Sequence, residues 1–415
     1  MKTGFIPTST IVFLIIFNFV SYGQEVPFLT FPVSSLNAGM GSVGTSLSTN
    51  DSYGFLYNPA LLGYTSQFKN FSFQMYVQKP IIGKKHFNYH VPPIINSFAL
   101  NLGYNLTPLI KFPLIVGFGY SNPELSYYPY PYDLQPVYEK NEYKAYSVGV
   151  GLNYCVNFSV GFTYKSIAAE LPRLYGESIR LKSVDGGSGI GAYDIGILIN
   201  VPIWKLIEND SGNKIFKRLP VIPNLDFTIG YTQSNIGDKV YYLDRAQADA
   251  LPREARLGYS ISGGIRMPKE VYDIELFNFD FSAEAEDYLF VRDSTGNYEP
   301  YQKFLGDINI FRNIFGIKGD DNVYSHTGLK VGFLETAEFM WGHIGSRQNL
   351  LKTDGFTVRL KGFLKFLTDQ RQNPVTNFIA DHFDIRYYYS DYLIDYPQET
   401  IYKGIEVVFS DFTFD

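Results

Sequence analysis

Along most of the chain, apolar and polar residues alternate one by one in runs of about ten residues, the period of a strand with two unlike faces. The clearest run is FNFDFSAEAE at 277–286. It puts Phe277, Phe279, Phe281, Ala283 and Ala285 on one face and Asn278, Asp280, Ser282, Glu284 and Glu286 on the other. Similar faces recur at Phe71, Phe73, Met75 and Val77, and at Val156, Phe158, Val160 and Phe162. They recur again at Phe356, Val358 and Leu360 against Arg359 and Lys361, and at Ile385, Tyr387 and Tyr389 against Asp384 and Arg386. The pattern predicts fourteen strands, at 71–78, 97–105, 114–120, 143–154, 156–166, 192–203, 224–234, 253–266, 274–290, 302–312, 327–341, 355–367, 383–391 and 404–414. An even number is what single-chain bacterial transmembrane barrels require. Lipid tolerates no unpaired backbone groups, so a closed antiparallel barrel is the expected fold for so many alternating strands. A propeller would need a repeat of about 40 residues, and the sequence has none.

Loop lengths set an orientation. If the first strand runs outward, the long connections 79–96, 121–142 and 167–191 face the outside. The tight connection at Cys155 then falls on the periplasmic side, where turns are short. The 204–223 connection is longer than that rule expects.

Residues 1–23 read as a secretory signal, with Lys2, an apolar run IVFLIIFNFV at 11–20, and small Ser21 and Gly23 before the cleavage point. The mature chain is expected to start at Gln24. The apolar run is shorter than the roughly 20 residues of a spanning helix.

Composition fits this picture. Aromatic residues are 17% of the 415, with 35 Phe, 34 Tyr and only 2 Trp, as girdles at both membrane interfaces would require. Charged residues are 18%, yet the mean hydropathy is only −0.08. A wall with one lipid face and one polar lumen face averages to neutral. The net charge of −6 argues against nucleic acid as a partner. A single cysteine, Cys155, rules out an internal disulfide. Trp204 and Trp341 fall at ends of predicted strands, the interface position expected of Trp.

Residues 24–70 show little alternation but carry several motifs: VPFL at 26–29, AGMGSVG at 38–44, Asp51, and Asn58-Pro59-Ala60. In this order they resemble the FadL-like superfamily of outer-membrane proteins, and within it the PorV/PorQ branch, found mainly in Bacteroidota. Arg256-Leu257-Gly258 and Leu329-Lys330-Val331-Gly332 also look like late-strand patterns of that branch. The resemblance implies a fourteen-stranded barrel at 71–415 with 24–70 folded into the lumen as a plug. The candidate plug or gate residues are Gly39, Gly41, Gly44, Asn58, Pro59 and Ala60. Glycine lets backbone pack closely against a wall, and Pro59 biases Asn58 toward extended geometry. The same run contains a literal G-x-G-x-x-G, but no strand–helix unit surrounds it, so no nucleotide site is expected.

No catalytic residue, metal or cofactor is expected. His86 and His90 have helical i, i+4 spacing but sit in a predicted outer loop without H-E-x-x-H. Asp320 and Asp321 lack an EF-hand frame, and no serine-hydrolase motif is present. Asp280, Glu284, Glu286, Arg359, Lys361, Lys365, Asp384 and Arg386 lie on polar strand faces. They are expected to pair with one another or with the plug; the alternative is a selectivity lining for a polar solute. Tyr127, Tyr128, Tyr130 and Tyr132 form an outer Tyr/Pro loop suited to docking protein, or else extend an aromatic girdle.

Two functions follow. The PorV resemblance implies a barrel associated with type IX secretion, binding or shuttling secreted cargo beside secretion-system proteins. The wider superfamily implies a transporter for a hydrophobic ligand. Both place the chain among outer-membrane lipid.

Overall fold

The computed structural model describes residues 26–47, 51–65, 71–78, 81–82, 94–127, 139–171, 178–184, 189–211, 221–268, 273–289, 291–292, 298–299, 304–346, 350–370, 374–395 and 398–410. Predicted features at 1–23, His86, His90, Tyr128, Tyr130 and Tyr132 lie outside these residues.

Among the described residues, fourteen antiparallel strands close into a ring. They are β1 (Phe71–Gln78, continued at Ile81–Ile82), β2 (Ile94–Asn105), β3 (Leu114–Ser121, continued at Glu124–Tyr127), β4 (Glu139–Asn153), β5 (Asn157–Leu171), β6 (Ile190–Val201) and β7 (Ile222–Gly237). The second half is β8 (Glu254–Pro268), β9 (Asp273–Tyr288), β10 (Val323–Phe333), β11 (Ala337–Gly345), β12 (Leu350–Arg359), β13 (Phe383–Asp395) and β14 (Gln398–Ser410). Each pairs with the next in sequence. The last returns to the first, from Ser72 opposite Ser410 to Gln78 opposite Gly404. Closure removes the sheet edges, so the ladder satisfies the backbone all round.

The faces are inverted relative to a water-soluble sheet. On β4–β6 the exposed side chains are Val148, Val150, Phe158, Val160, Phe162, Ile195, Ile197 and Ile199, whereas Ser147, Thr163 and Asp194 are completely buried at 0%. Apolar residues outward and polar residues inward is the arrangement of a transmembrane barrel. No helix among the described residues is long and apolar enough to cross a membrane.

Two strand predictions fail and offset each other in the count. Residues 302–312 are not a strand. Gly306 has φ +56°, and a π-helix follows at Ile310–Phe315. Asn309 and Asn313 satisfy nearby backbone groups with their side chains, at 3.1 Å to Arg312 N and 2.7 Å from Asn309 N. The segment instead drapes over the outside of the ring. Phe304 stacks on outward-facing Tyr231 at 4.2 Å and Phe315 on Tyr259 at 5.5 Å. The second failure is 327–341, which is two strands. Leu334 and Glu335 take positive φ and turn the chain, though alternation continues through the turn. Trp341 therefore sits within β11, facing outward at 48% exposure, rather than at a strand end.

Helices occur at the end of the ring that carries the tight turns: α4 (Thr107–Ile110), α5 (Ile203–Ser211), α6 (Leu360–Gln370) and α7 (Pro374–His382). Three short ones, α1 (Ser35–Gly39), α2 (Gly54–Tyr57) and α3 (Leu61–Thr65), belong to the N-terminal segment. The long 204–223 connection thus begins with α5, which carries Trp204. The predicted strand 355–367 stops at Arg359, because Leu360, Phe363, Phe366 and Leu367 follow a helical period. Lys361 and Lys365 consequently leave the wall. Lys365 pairs with Glu335 at 2.6 Å, and Lys361 Nζ donates to Asp381 O at 3.3 Å. Burial pushes the Lys361 ammonium below its ordinary value.

Candidate functional site: the lumen and its N-terminal segment

Residues 26–47 and 51–65 lie inside the ring, against inward-facing wall residues. Their seat begins with glycine. Gly103 opposes Gly117, Gly117 opposes Gly149, Gly149 opposes Gly161 and Gly161 opposes Gly196. This row crosses five adjacent strands and lets the segment's backbone touch the wall. A Cβ at Gly149 would lie 2.7 Å from Gly63 N. At Gly161 it would meet Pro59, and at Gly196 the Asn58 side chain. The sequence reading missed this row; its signal was glycine recurring at inward positions of consecutive strands.

Asn58, Pro59 and Ala60 are the part that sits on this row. Asn58 is extended, at φ −153° and ψ 109°, as expected before proline. Its Nδ2 donates to Thr45 O at 2.7 Å and to Ile197 O of the wall at 3.1 Å, while its Oδ1 accepts from Ala60 N at 3.0 Å. One buried amide therefore ties two turns of the segment to β6. The Ala60 carbonyl accepts from Ser159 Oγ.

Gly39, Gly41 and Gly44 line the opposite side. Gly41 has φ +70°, and a Cβ there would lie 2.5 Å from Thr327 O, so only glycine fits. Thr353 accepts from Gly41 N at 2.8 Å and donates to Gly39 O at 3.0 Å. His326 Nδ1 lies 2.8 Å from Gly41 O.

Lumen charges hold the segment and each other. Glu284 accepts from Gly44 N at 2.9 Å and Ser46 N at 3.2 Å. Arg256 donates to Ser42 O at 3.0 Å and pairs with Glu286, which also faces His326 at 3.1 Å. Toward the tight-turn end, Arg359 bridges Glu338 at 3.0 Å and Asp384 at 2.9 Å. Arg386 bridges Asp384 at 2.8 Å and Glu406 at 3.3 Å, and Lys330 pairs with Asp280 at 2.9 Å. Glu406 accepts from Ser52 N at 2.9 Å, so the network reaches the segment. These groups border a polar cavity of about 160 Å³. Beside Glu406, Asp51 accepts from Ser34 Oγ at 2.6 Å. Burial, and then the Glu406 carboxylate, push the Asp51 carboxyl up to about 7.

An apolar cluster lies at the long-loop end, beside the ion pairs of Lys165 and Arg256. Val26, Phe28 and Leu29 pack into a cup made by Tyr143, Ile167, Ile190 and Ala192 of the wall and Leu181, Val240, Tyr242 and Leu251 of the loops. Phe28 and Tyr143 have ring centroids 6.1 Å apart. Beneath the cup lies a cavity of about 30 Å³, room for about one water. At the cup's edge the wall is irregular. The β6–β7 ladder shifts register between Tyr193 and Ile195, and Asn235 takes φ +58°. Buried Lys165 pairs with Asp194 at 2.9 Å and donates to Asn235 Oδ1 at 2.8 Å, and Asn235 N donates to Asp194 at 2.8 Å.

Sequence reasoning missed Lys165, Asp194, Asn235, Thr353, Glu406 and the cup. Of the tyrosine loop, only the backbone of Tyr127 is described, paired with Glu139.

No protein-family model matches the chain, and no curated protein matches it by sequence. Among solved structures it is similar to the toluene transporter TbuX of Ralstonia pickettii, at 10% identity over 91% of this chain and 97% of that one, TM-score 0.42. The Pseudomonas putida toluene transporter TodX gives 10% identity, 91% and 97% coverage and TM-score 0.43. A Pseudomonas aeruginosa FadL homologue gives 10% identity, 92% and 98% coverage and TM-score 0.42.

Proposed function

We propose that this protein resides in the outer membrane and passes small hydrophobic molecules across it, with residues 26–65 acting as the plug. The observation that carries this reading is the cup: an apolar cluster at the long-loop end in which the chain's own Val26, Phe28 and Leu29 pack against wall and loop residues. A polar-solute pore would keep its mouth wet and lined with charge. Here an incoming apolar molecule meets side chains of its own chemistry and competes with a short terminal segment for them. Burying one such side chain is worth about 1.5–3 kcal/mol, so displacement by a ligand of similar size is nearly balanced. The irregular β6–β7 ladder beside the cup offers a weak point through which an apolar molecule reaches lipid. The paired lumen charges serve to seat the plug, since each carboxylate meets a cation or a plug amide.

The secretion-shuttle reading came from the VPFL and AGMGSVG motifs, with the outer-loop tyrosines as its candidate docking surface, and gains no support from the described residues. Binding tests the transporter reading. The purified barrel should bind toluene and a fluorescent fatty acid, and Ile167→Asp should weaken both at least tenfold while the protein stays folded. Equal binding by wild type and variant would contradict the reading, as would steady ion conductance by wild type without apolar binding.

A further inference from the structure

The tight-turn end carries a helix built inside out. In α6, Lys361 and Lys365 face the rim of the ring, Lys365 buried at 5% and bonded to Glu335 at 2.6 Å. Leu360, Phe363, Phe366 and Leu367 point the other way, with Phe366 exposed at 59%. A helix bathed in water on that side would place these residues the other way round. Its start is fixed: Gly362 N donates to Glu335 O at 3.0 Å and Lys361 N to Asp384 at 3.2 Å. The neighbouring α7 packs on α6 and adds exposed Val375, Phe378 and Ile379.

This face continues the ring's own lipid surface. Phe333, Leu334 and Val358, beside the start of α6, are exposed at 45%, 47% and 51%. Exposed Val358 at the end of β12 and exposed Leu360 at the start of α6 are separated only by Arg359, so the apolar band of the wall leads onto the helix. We infer that α6 and α7 form a membrane-surface element, which sinks the Phe363/Phe366 face into the headgroup–acyl boundary of phospholipid at the tight-turn end. Such helices lie in the interface plane, roughly 5–10 Å into the lipid. The element fixes how deep the barrel sits, and so the height of the cup above the inner leaflet. The inference rests on the barrel being in lipid but not on what it transports.

The test uses the full mature chain with Cys155→Ser, and a nitroxide attached at Phe363→Cys or Phe366→Cys in separate variants. The protein is reconstituted in vesicles of palmitoyl-oleoyl phosphatidylethanolamine and phosphatidylglycerol. Val358→Cys reports on the wall, and Asp244→Cys on the exposed long-loop end. Collision rates with oxygen and with a polar nickel chelate are read by power saturation. Both helix labels are expected to favour oxygen as strongly as the Val358 label. Nickel-favoured collisions at both helix sites, with Val358 still oxygen-favoured, would overturn the inference and leave the barrel reading intact. Spin–spin broadening that grows with protein density would overturn it in favour of contact between two copies. An aqueous signal at Val358 as well would instead remove the barrel reading beneath it.

Discussion

Asn58 shows how much a single side chain does here. Its amide reaches Thr45 O, Ile197 O and Ala60 N at once, and it fits only because Gly196 lacks a Cβ. Asn58→Ala leaves buried carbonyls unpaired, at about 1–3 kcal/mol. Gly196→Val keeps a strand-compatible wall but denies the seat. In planar bilayers, wild type is expected to be silent and Gly196→Val to conduct; silence from both would contradict the seat. Asp51 adds a pH dependence. Its carboxyl is raised from 3.8 to about 7, so the seated segment binds the proton more tightly than the released one. That contribution to seating is whole below about pH 4 and is lost as pH rises through 7. The protection of amides at residues 34–47 and 51–54, taken relative to their intrinsic exchange rate at each pH, should therefore fall between pH 5 and 8, and Asp51→Asn should flatten the trend. An unchanged slope in Asp51→Asn would remove Asp51 as its source.

Elements were legible where period two was uninterrupted. The strand 71–78 is observed with those bounds, and 114–120 lengthens by one residue. Legibility failed where alternation and hydrogen bonding part company. Ile308 and Ile310 alternate with Asp307 and Asn309, but Asn309 serves nearby backbone, accepting from Arg312 N. Alternation also crosses Leu334 and Glu335, where only positive φ marks the turn. The cup was not legible because its residues come from three wall strands, two loops and the segment at Val26, Phe28 and Leu29, and no local pattern joins them. The β6–β7 irregularity was hidden for the same reason. It depends on Lys165 and Asp194, which sit on neighbouring strands, and on Asn235. Removing one partner of a buried ion pair typically costs 3–5 kcal/mol. Asp194→Asn should therefore lower the temperature at which the folded, fast-migrating gel band disappears. The double variant Lys165→Met/Asp194→Leu should recover part of that loss. A double variant worse than the single would mean that the pair itself stabilises the wall.

At the scale of the whole molecule, the two ends of the ring differ. The long-loop end holds the apolar cup, and the tight-turn end holds a charged network and a polar cavity, with the glycine seat of residues 58–60 a few residues above the tight turns. On the proposed reading, an apolar molecule is received at the cup, and the seated segment blocks ions where its backbone meets the wall. The account stands or falls on whether Val26–Leu29 and the passing molecule compete for one place. In a Cys155→Ser background, Phe28→Cys and Tyr143→Cys can be joined by a reducible bis-thiosulfonate linker, which holds the segment in the cup. Transfer of labelled toluene or fatty acid into vesicles should stop when the linker is in place and return on reduction. Transfer at an undiminished rate through the linked protein would contradict the account.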